Sequence, residues 1–419
     1  MRLRPYDKRP ARFRGWDVVA GCFFMAMVAW GLGFYGNGLY LAYLVGERGL
    51  PLDAVSAGIT AYYAGGAMLI MAGGGYIDRL GPRRSVALGT ISLTFAVFSI
   101  ARADALWQFY AAMGLMAIAW TTMSSSAINA IIAPWFDRRR GTALSLALTG
   151  ASFGGIAVIP LVTAATRALG YREGLTLAAL ALGVIMLAVS ARCFVRSPGD
   201  VGQGVDGDPP SAPAPEAAAR SGDVAQPAWP LRRILASREF LTTAGPFSVG
   251  LTIQVGVLTH QISMLQGPLG SDGAAWAVSL TTAAAVLGRL VAGAAMDRFS
   301  RRAIAALNFV VQAGGLLLLA AGTSRAGLYA GCLLAGLAVG NMITFAGLLI
   351  HREFPSSQFN RVNRLAVGVG QILYATGPLA MSVAKQAAGG YGAPLYACAA
   401  LACAASVVVW WGRPHRGRR

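Results

Sequence analysis

One residue of this sequence stands where its chemistry is costly. Arg289 lies within TTAAAVLGRLVAGAAMDRFSRR, residues 281–302, which reads as the second half of a membrane-crossing helix ending in a basic turn at Asp297, Arg298, Arg301 and Arg302. An arginine at bilayer depth costs about 2.5–3.5 kcal/mol on insertion scales, so it marks a functional site by default. None of the 17 acidic residues falls in an apolar core; Asp17 is at the inner edge of the first run and the others lie in loops or at helix ends. Two roles are open to Arg289. Its planar fork can grip a substrate carboxylate through two parallel hydrogen bonds, or it can snorkel and bond helix carbonyls.

Other polar groups inside apolar runs are candidates to line a path with it: Tyr35 and Asn37, Tyr62, Trp120, Asn341, and Gln371 with Tyr374. Aromatic walls with a few polar groups suit a small organic acid, although each residue alone could equally join two helices. His260, in THQISML near the outer end of its run, is a candidate proton relay because histidine titrates near neutral pH; the alternative is a hydrogen-bonded helix-end histidine. Lys385 is expected to snorkel at an outer edge.

A second set clusters where helices meet loops. Asp78 and Asp297 each fall at the C-terminal end of a helix, where the dipole disfavours a negative charge, so each should need cationic partners. Arg138–Arg140 are expected to serve the first and Arg361 or Arg364 the second. With Arg79, Arg83, Arg139 and Arg298 these form a candidate cytoplasmic gate, or else topology anchors.

The elements that must position these groups follow from composition. A chain of 419 residues, 56% hydrophobic and 12% charged, with mean hydropathy +0.56, is a polytopic membrane protein. Its net charge of +18 does not imply nucleic acid, because the basic residues punctuate apolar runs instead of forming a patch. Twelve runs near 20 residues or longer are expected, the seventh near 240–265 and the eighth near 273–296. With a cytoplasmic N-terminus, 28 of the 35 basic residues fall on inner segments, so both termini are expected inside a bacterial cell membrane.

The organisation is therefore an N-terminal tail at 1–15, a six-helix bundle at 16–196, a flexible cytoplasmic linker at 197–238, a second six-helix bundle at 239–412 and a basic tail at 413–419. The linker is rich in Pro, Gly, Ala and Ser. Its end, WPLRRILASREF, could lie as a short amphipathic helix on the membrane surface. The bundles are repeats: GGYIDRLGPRRS at 74–85 superposes on GAAMDRFSRRA at 293–303 with an offset of 219, Asp78 on Asp297 and Arg79 on Arg298. The same offset places Ile70 opposite Arg289, so the fold accepts an apolar side chain there.

The repeated G-x-x-x-D-R-x-G-x-R-R after helices two and eight, in a twelve-span chain with a long middle linker, resembles the major facilitator superfamily across nearly its whole length. Ser300 stands where the second copy would have glycine. The resemblance implies an all-α fold of two pseudo-symmetric six-helix bundles that rock around a central site. A narrower likeness, WFDRRRGTALSLALTGASFGG at 135–155 with the arginine of span eight and the opening Arg14–Trp16, is to the monocarboxylate transporter and oxalate/formate antiporter branch. Animal monocarboxylate transporters have an aspartate, implicated in proton coupling, one turn before this arginine; here that position is Ala285. The lysine that oxalate/formate antiporters carry in span eleven has no counterpart, Lys8 and Lys385 being the two lysines of the chain.

The expected function is thus secondary transport of small organic anions, most plausibly lactate- or pyruvate-like monocarboxylates with a proton, by alternating access with Arg289 as the anchor. Exchange against a counter-anion is the alternative. A drug efflux pump is disfavoured because there is no arginine between Arg102 and Arg138, where such pumps have one in span four. An enzyme would need a nucleophile, base and orienter set that His260, His351 and His415 do not supply. A non-transporting receptor stays open. The five cysteines lie in apolar runs without metal-type spacing, so no metal or cofactor is expected, and the protein is expected to act as a monomer in the lipid bilayer.

Overall fold

The computed structural model describes residues 13–72, 76–194, 197–208, 229–322 and 324–412, and the regular secondary structure within them is helical. Eleven helical stretches are long and apolar enough to cross a bilayer, and one of them, Arg238–Ala292, is 55 residues long and holds two crossings. Its helix breaks at Gly270, whose φ of 76° belongs to a region that glycine enters without a Cβ penalty. The loop expected at 266–272 is therefore a single-residue turn. Spans 1–6 are Gly15–Gly46, Leu52–Met71, Pro82–Ala101, Leu106–Ile132, Arg140–Leu169 and Tyr171–Cys193. Spans 7 and 8 are 238–269 and 271–298, and spans 9–12 are Arg301–Ala321, Arg325–Glu353, Arg361–Ala388 and Gly392–Trp411.

Successive spans alternate direction, so one face of the molecule collects Arg79, Arg83, Arg84, Arg138–Arg140, Arg298 and Arg301; this is called the basic face below. On the opposite face four arginines are paired with acids. Arg48 and Arg172 reach Asp104 at 2.7 and 3.5 Å, Arg102 reaches Glu173 at 3.6 Å, and Arg167 pairs with Asp272.

One large apolar core fills the first half and three clusters the second, and the largest of each half interpenetrate. Tyr35 and Ile159 of the first half pack in the core of the second, while Val255 and Ala375 of the second pack in that of the first. Polar contacts join the halves toward the opposite face: Ser279 Oγ donates to the Gly155 carbonyl at 3.2 Å, and Leu379 N donates to Thr60 Oγ1 at 3.3 Å. With the Arg167–Asp272 pair, they close that face. A Cβ on Gly155 would collide with the Thr282 side chain, so the closure needs glycine.

The linker differs from the uniformly flexible segment expected at 197–238. Its start folds into 3-10 turns, Pro198–Val201 and Val205–Gly207, against the loop after span 4. Asp206 N donates to the Trp135 carbonyl at 2.9 Å, and the Asp206 carboxylate accepts from Arg138 N and Asp137 N at 2.9 and 3.2 Å. The Arg138 guanidinium clasps Asp208 at 2.7 Å, and Phe13 packs edge-on to Phe136 with centroids 5.4 Å apart. At the far end, Leu231–Leu235 is a short helix, as its pattern suggested, but Ile234 is buried in a protein cluster with Phe240, Ile350, Phe354 and Val362 instead of on a lipid surface. Residues 209–228 of the linker lie outside the described residues.

A candidate substrate site between the two halves

Glycine brings the central arginine into place. On span 10, Gly336 and Gly340 are spaced four residues apart, and a Cβ on either would strike span 8, at the Thr281 and Ala285 carbonyls respectively. Small residues at this spacing let two backbones approach closely in a membrane. The approach puts the Gly340 carbonyl 3.1 Å from Arg289 Nε, which donates to it. Among the described residues no carboxylate pairs with Arg289, which is half-buried.

From the other half, Tyr35 comes within electrostatic reach of this guanidinium. Tyr35 ends a π-helical segment, Gly31–Tyr35, inside span 1, and a second such segment, Gly154–Val158, lies inside span 5. The two pack on each other, since a Cβ on Gly154 would approach Gly31 N to 2.6 Å and one on Gly31 would approach Val158 to 2.7 Å. Single π turns inside α-helices are rare and concentrate at functional sites. Paired glycines, GLGFYG at 31–36 and GG at 154–155, were the visible signal for them.

Aromatic side chains of both halves pack together beside Tyr35. Phe34 packs on Tyr35, Tyr63 and Trp120, Tyr62 lies edge-on to Trp120, and Tyr63 meets Tyr374 of the second half with centroids 5.7 Å apart. Gln371 is within hydrogen-bond reach of the Tyr374 hydroxyl. Asn37 Nδ2 donates to the Gly33 carbonyl and to the Tyr63 hydroxyl at 2.8 and 3.1 Å, leaving its Oδ1 without a protein partner, as is the Tyr62 hydroxyl. Tyr35, Asn37, Tyr62, Trp120, Gln371 and Tyr374 are thus linked through Phe34 and Tyr63, and Arg289 approaches this group at Tyr35.

Asn341 and His260 stand apart from that group. Asn341 Nδ2 donates to Asn308 Oδ1 at 2.9 Å and to the Leu337 carbonyl, which ties span 10 to span 9. His260, fully buried, faces spans 11 and 12. Its Nε2 is 3.0 Å from the Pro378 carbonyl, which can only accept, and its Nδ1 is 3.0 Å from the Tyr391 hydroxyl. The ring is therefore the Nε2–H tautomer, with Nδ1 accepting from tyrosine. Lys385 Nζ lies 4.9 Å from the Tyr391 ring centroid.

On the basic face the structure describes part of the expected gate. Arg138 is engaged by Asp208 and Asp206 of the linker, and Arg140 donates to Asn129 Oδ1 of span 4 at 2.9 Å. Burial pushes Asp206 up, but the N–H groups of Arg138, Asp137 and Arg139, with the Arg138 charge, outweigh it and hold the carboxyl below its ordinary value. Asp208 and Asp206 in turn raise the Arg138 pKa. Arg79, Arg83, Arg139 and Arg298 are exposed. The side chains of Asp78, Asp297 and Arg364 lie outside the described residues, although the backbone of each is helical.

The strongest ion pair on this face was missed. Arg302, at the position of Arg83 in the repeat, is buried and donates through Nε and Nη2 to the two carboxylate oxygens of Glu353 at 2.6 and 2.5 Å. Its remaining hydrogen bonds, to the Val409 carbonyl at 2.8 Å and Thr242 Oγ1 at 3.0 Å, tie spans 9, 10, 12 and 7. Nothing in local sequence joins residues 302 and 353, although a lone acid closing span 10 was a usable hint.

Twelve crossings in two repeated bundles, with polar and aromatic groups converging between them, define a membrane transporter. The family model of the Major Facilitator Superfamily matches residues 19–272, more than half of the chain, and the chain belongs to that family. A second model, described as an uncharacterised MFS-type transporter YbfB, matches 209–410. Among curated proteins, the chain is 33% identical over 112 residues to a fujikurins efflux protein of Gibberella fujikuroi, covering 26% of this chain and 24% of that protein. It is 27% identical over 155 residues to the riboflavin transporter MCH5 of Saccharomyces cerevisiae (36% and 29% covered), and 27% identical over 151 residues to monocarboxylate transporter 13 of Bos taurus (35% and 34%). The matched stretches span about a third or less of these relatives' own lengths. The solved structure of a point mutant of the nucleoside transporter NupG superposes with TM-score 0.72 at 11% identity, covering 95% of this chain and 100% of that one. A bacterial homologue of the human lysosomal transporter Spinster superposes with TM-score 0.67 at 14% identity, covering 96% of each. Both likenesses are of fold.

Proposed function

We propose that this transporter carries small organic anions, of the monocarboxylate class, with Arg289 binding the carboxylate. The observation that carries the reading is the state of Arg289: one guanidinium nitrogen is held by the Gly340 carbonyl, and no carboxylate among the described residues neutralises the rest. A cationic or neutral substrate would meet that charge without gain. Tyr35 and the Tyr62, Tyr63, Trp120 and Tyr374 wall give the apolar body of a small acid a surface from both halves. The match to a monocarboxylate transporter over part of the chain agrees with this class. We take the basic face as cytoplasmic in a bacterial inner membrane, with both termini on that side.

Proton symport makes movement of a lactate-like anion electroneutral and is the preferred coupling. Anion exchange is the second reading, favoured by Ala285, which leaves the turn before Arg289 without a titratable group. The test is uptake of labelled lactate, pyruvate, acetate and formate into proteoliposomes. Uptake driven by an inward proton gradient and abolished in Arg289→Ala supports symport. Uptake that requires internal anion and no gradient supports exchange, and unimpaired uptake by Arg289→Ala removes the arginine from the site.

A further inference from the structure

Span 11 is broken close to the contacts that shut the opposite face. Its helix ends at Ala375 and resumes at Gly377, where Pro378 lacks the N–H that would continue the ladder. Span 7 lies against the break: a Cβ on Gly256 would come within 2.8 Å of the Gly377 carbonyl oxygen. One turn further along span 7, His260 Nε2 donates to the Pro378 carbonyl at 3.0 Å. On both sides of that bond the adjacent residue touches the first half. Leu379 N donates to Thr60 Oγ1 of span 2 at 3.3 Å, and a Cβ on Gly38 of span 1 would come within 3.1 Å of the Thr259 carbonyl oxygen. The histidine therefore joins two of the contacts by which the halves meet on this side.

The second ring nitrogen is the sensitive one. In the Nε2–H tautomer Nδ1 offers a single lone pair, and the Tyr391 hydroxyl fills it at 3.0 Å. Lys385 Nζ sits 4.9 Å from the centroid of the same tyrosine ring. Among the described residues, Tyr391 of span 12 and Lys385 of span 11 are the titratable groups in reach of His260. A proton at Nδ1 turns that nitrogen from acceptor to donor, so the Tyr391 hydroxyl must reverse. It also adds a second positive charge beside Lys385, at a side chain that is 1% exposed. The closed packing suits the neutral ring, whereas the charged ring is relieved when spans 7 and 11 part from spans 1 and 2 and admit water. We propose that His260 is a proton-operated latch of the opposite face, shut when neutral and released when protonated. With that face outermost, the orientation taken above, external acid opens the central site to the outside. His260 then senses protons and does not carry the coupled one to the cytoplasm.

The test uses the purified full-length protein in detergent without any organic anion. In a cysteine-free background, spin labels are placed at Leu169→Cys and Trp276→Cys, two exposed positions at the ends of spans 5 and 8 on the opposite face. The distance between them is measured by pulsed electron resonance from about pH 8 to about pH 5.5, which stays above the range in which carboxylates ordinarily titrate. The expected result is a short distance at the alkaline end and a growing longer one as pH falls. His260→Gln, which keeps a polar amide but takes up no proton, should hold the short distance throughout. Lys385→Met removes the neighbouring charge and should raise the midpoint of opening by about half a pH unit or more, a shift that a purely structural histidine would not give. It also decides the matter if His260→Gln fails to fold. A distance independent of pH in the otherwise unchanged protein, opening retained in His260→Gln, or a midpoint unmoved or lowered in Lys385→Met would each overturn the latch. Loss of anion uptake in proteoliposomes bears only on the function proposed above, because the distance measurement contains neither anion nor gradient.

Discussion

Arg289 Nε and the Gly340 carbonyl oxygen are 3.1 Å apart, and that single bond aims the guanidinium while leaving its two terminal nitrogens without a protein partner among the described residues. Arg289→Lys keeps the charge but loses the fork. The expected outcome is a rise in KM for the anion of about tenfold or more, since a charge-assisted hydrogen bond is worth roughly 1.5–3 kcal/mol. Equal KM in wild type and Arg289→Lys would show that the planar fork is not used.

Gly340→Val tests how the arginine is aimed. The new side chain would collide with the Ala285 carbonyl and push span 10 away from span 8. Overpacking of this kind costs about 1–3 kcal/mol, so the melting temperature should fall. Transport should weaken although Arg289 itself is intact, which kinetics on the folded fraction would reveal.

The buried Arg302–Glu353 pair separates two effects. Arg302→Ala leaves Glu353 buried without its cation, and a loss of about 3–5 kcal/mol is expected. The double variant Arg302→Met with Glu353→Met removes both charges together and should recover most of that stability. Thermal unfolding of the three proteins checks this, and a double variant as unstable as Arg302→Ala would contradict it.

Closure of the opposite face should depend far more on Gly155 than on the ion pair beside it. Arg167 and Asp272 are 70% and 53% exposed, and such pairs contribute about 1 kcal/mol or less. Gly155→Leu places a side chain where Thr282 sits, so it should hold the face open. In a cysteine-free background, Ser279→Cys should react with an impermeant maleimide much faster when Gly155→Leu is present, whereas Arg167→Ala should change the rate only slightly.

The linker clamp carries a defined pH dependence. Asp206 is held below its ordinary carboxylate value in the folded protein, so its contribution is full above the unfolded value near ~3.9 and disappears as pH falls through the lower folded value. A spin label at Val205→Cys should therefore stay immobile from neutral pH down to about pH 5 and loosen only below the ordinary aspartate range. With Asp206→Asn added, the label should already be more mobile at pH 7.

Much of this architecture was readable from the sequence because it rests on local patterning. Apolar runs fixed the crossings, the spacing of Asp78-Arg79 and Asp297-Arg298 exposed the repeat, and the lack of any nearby acid singled out Arg289. What was hidden depends on distant partners or on backbone geometry. GDVGQGVDGD reads as a flexible stretch by composition, yet Asp206 and Asp208 find Arg138 across the fold. Arg302 meets Glu353 only after spans 9 and 10 pair. The π turns at Gly31–Tyr35 and Gly154–Val158 change the phase of side chains by about one residue. A reading based on a constant α-helical repeat could not supply that shift.

Span 8 runs without interruption from just past Gly270 to Arg298, carrying Asp272 at one end and Arg289 further along. The seventeen residue steps from one to the other make a rod about 25 Å long. A rod of this kind acts as a lever: a tilt of span 8 that parts Asp272 from Arg167 would carry Arg289 with it. Opening the door and releasing the grip would then be one motion seen from two ends.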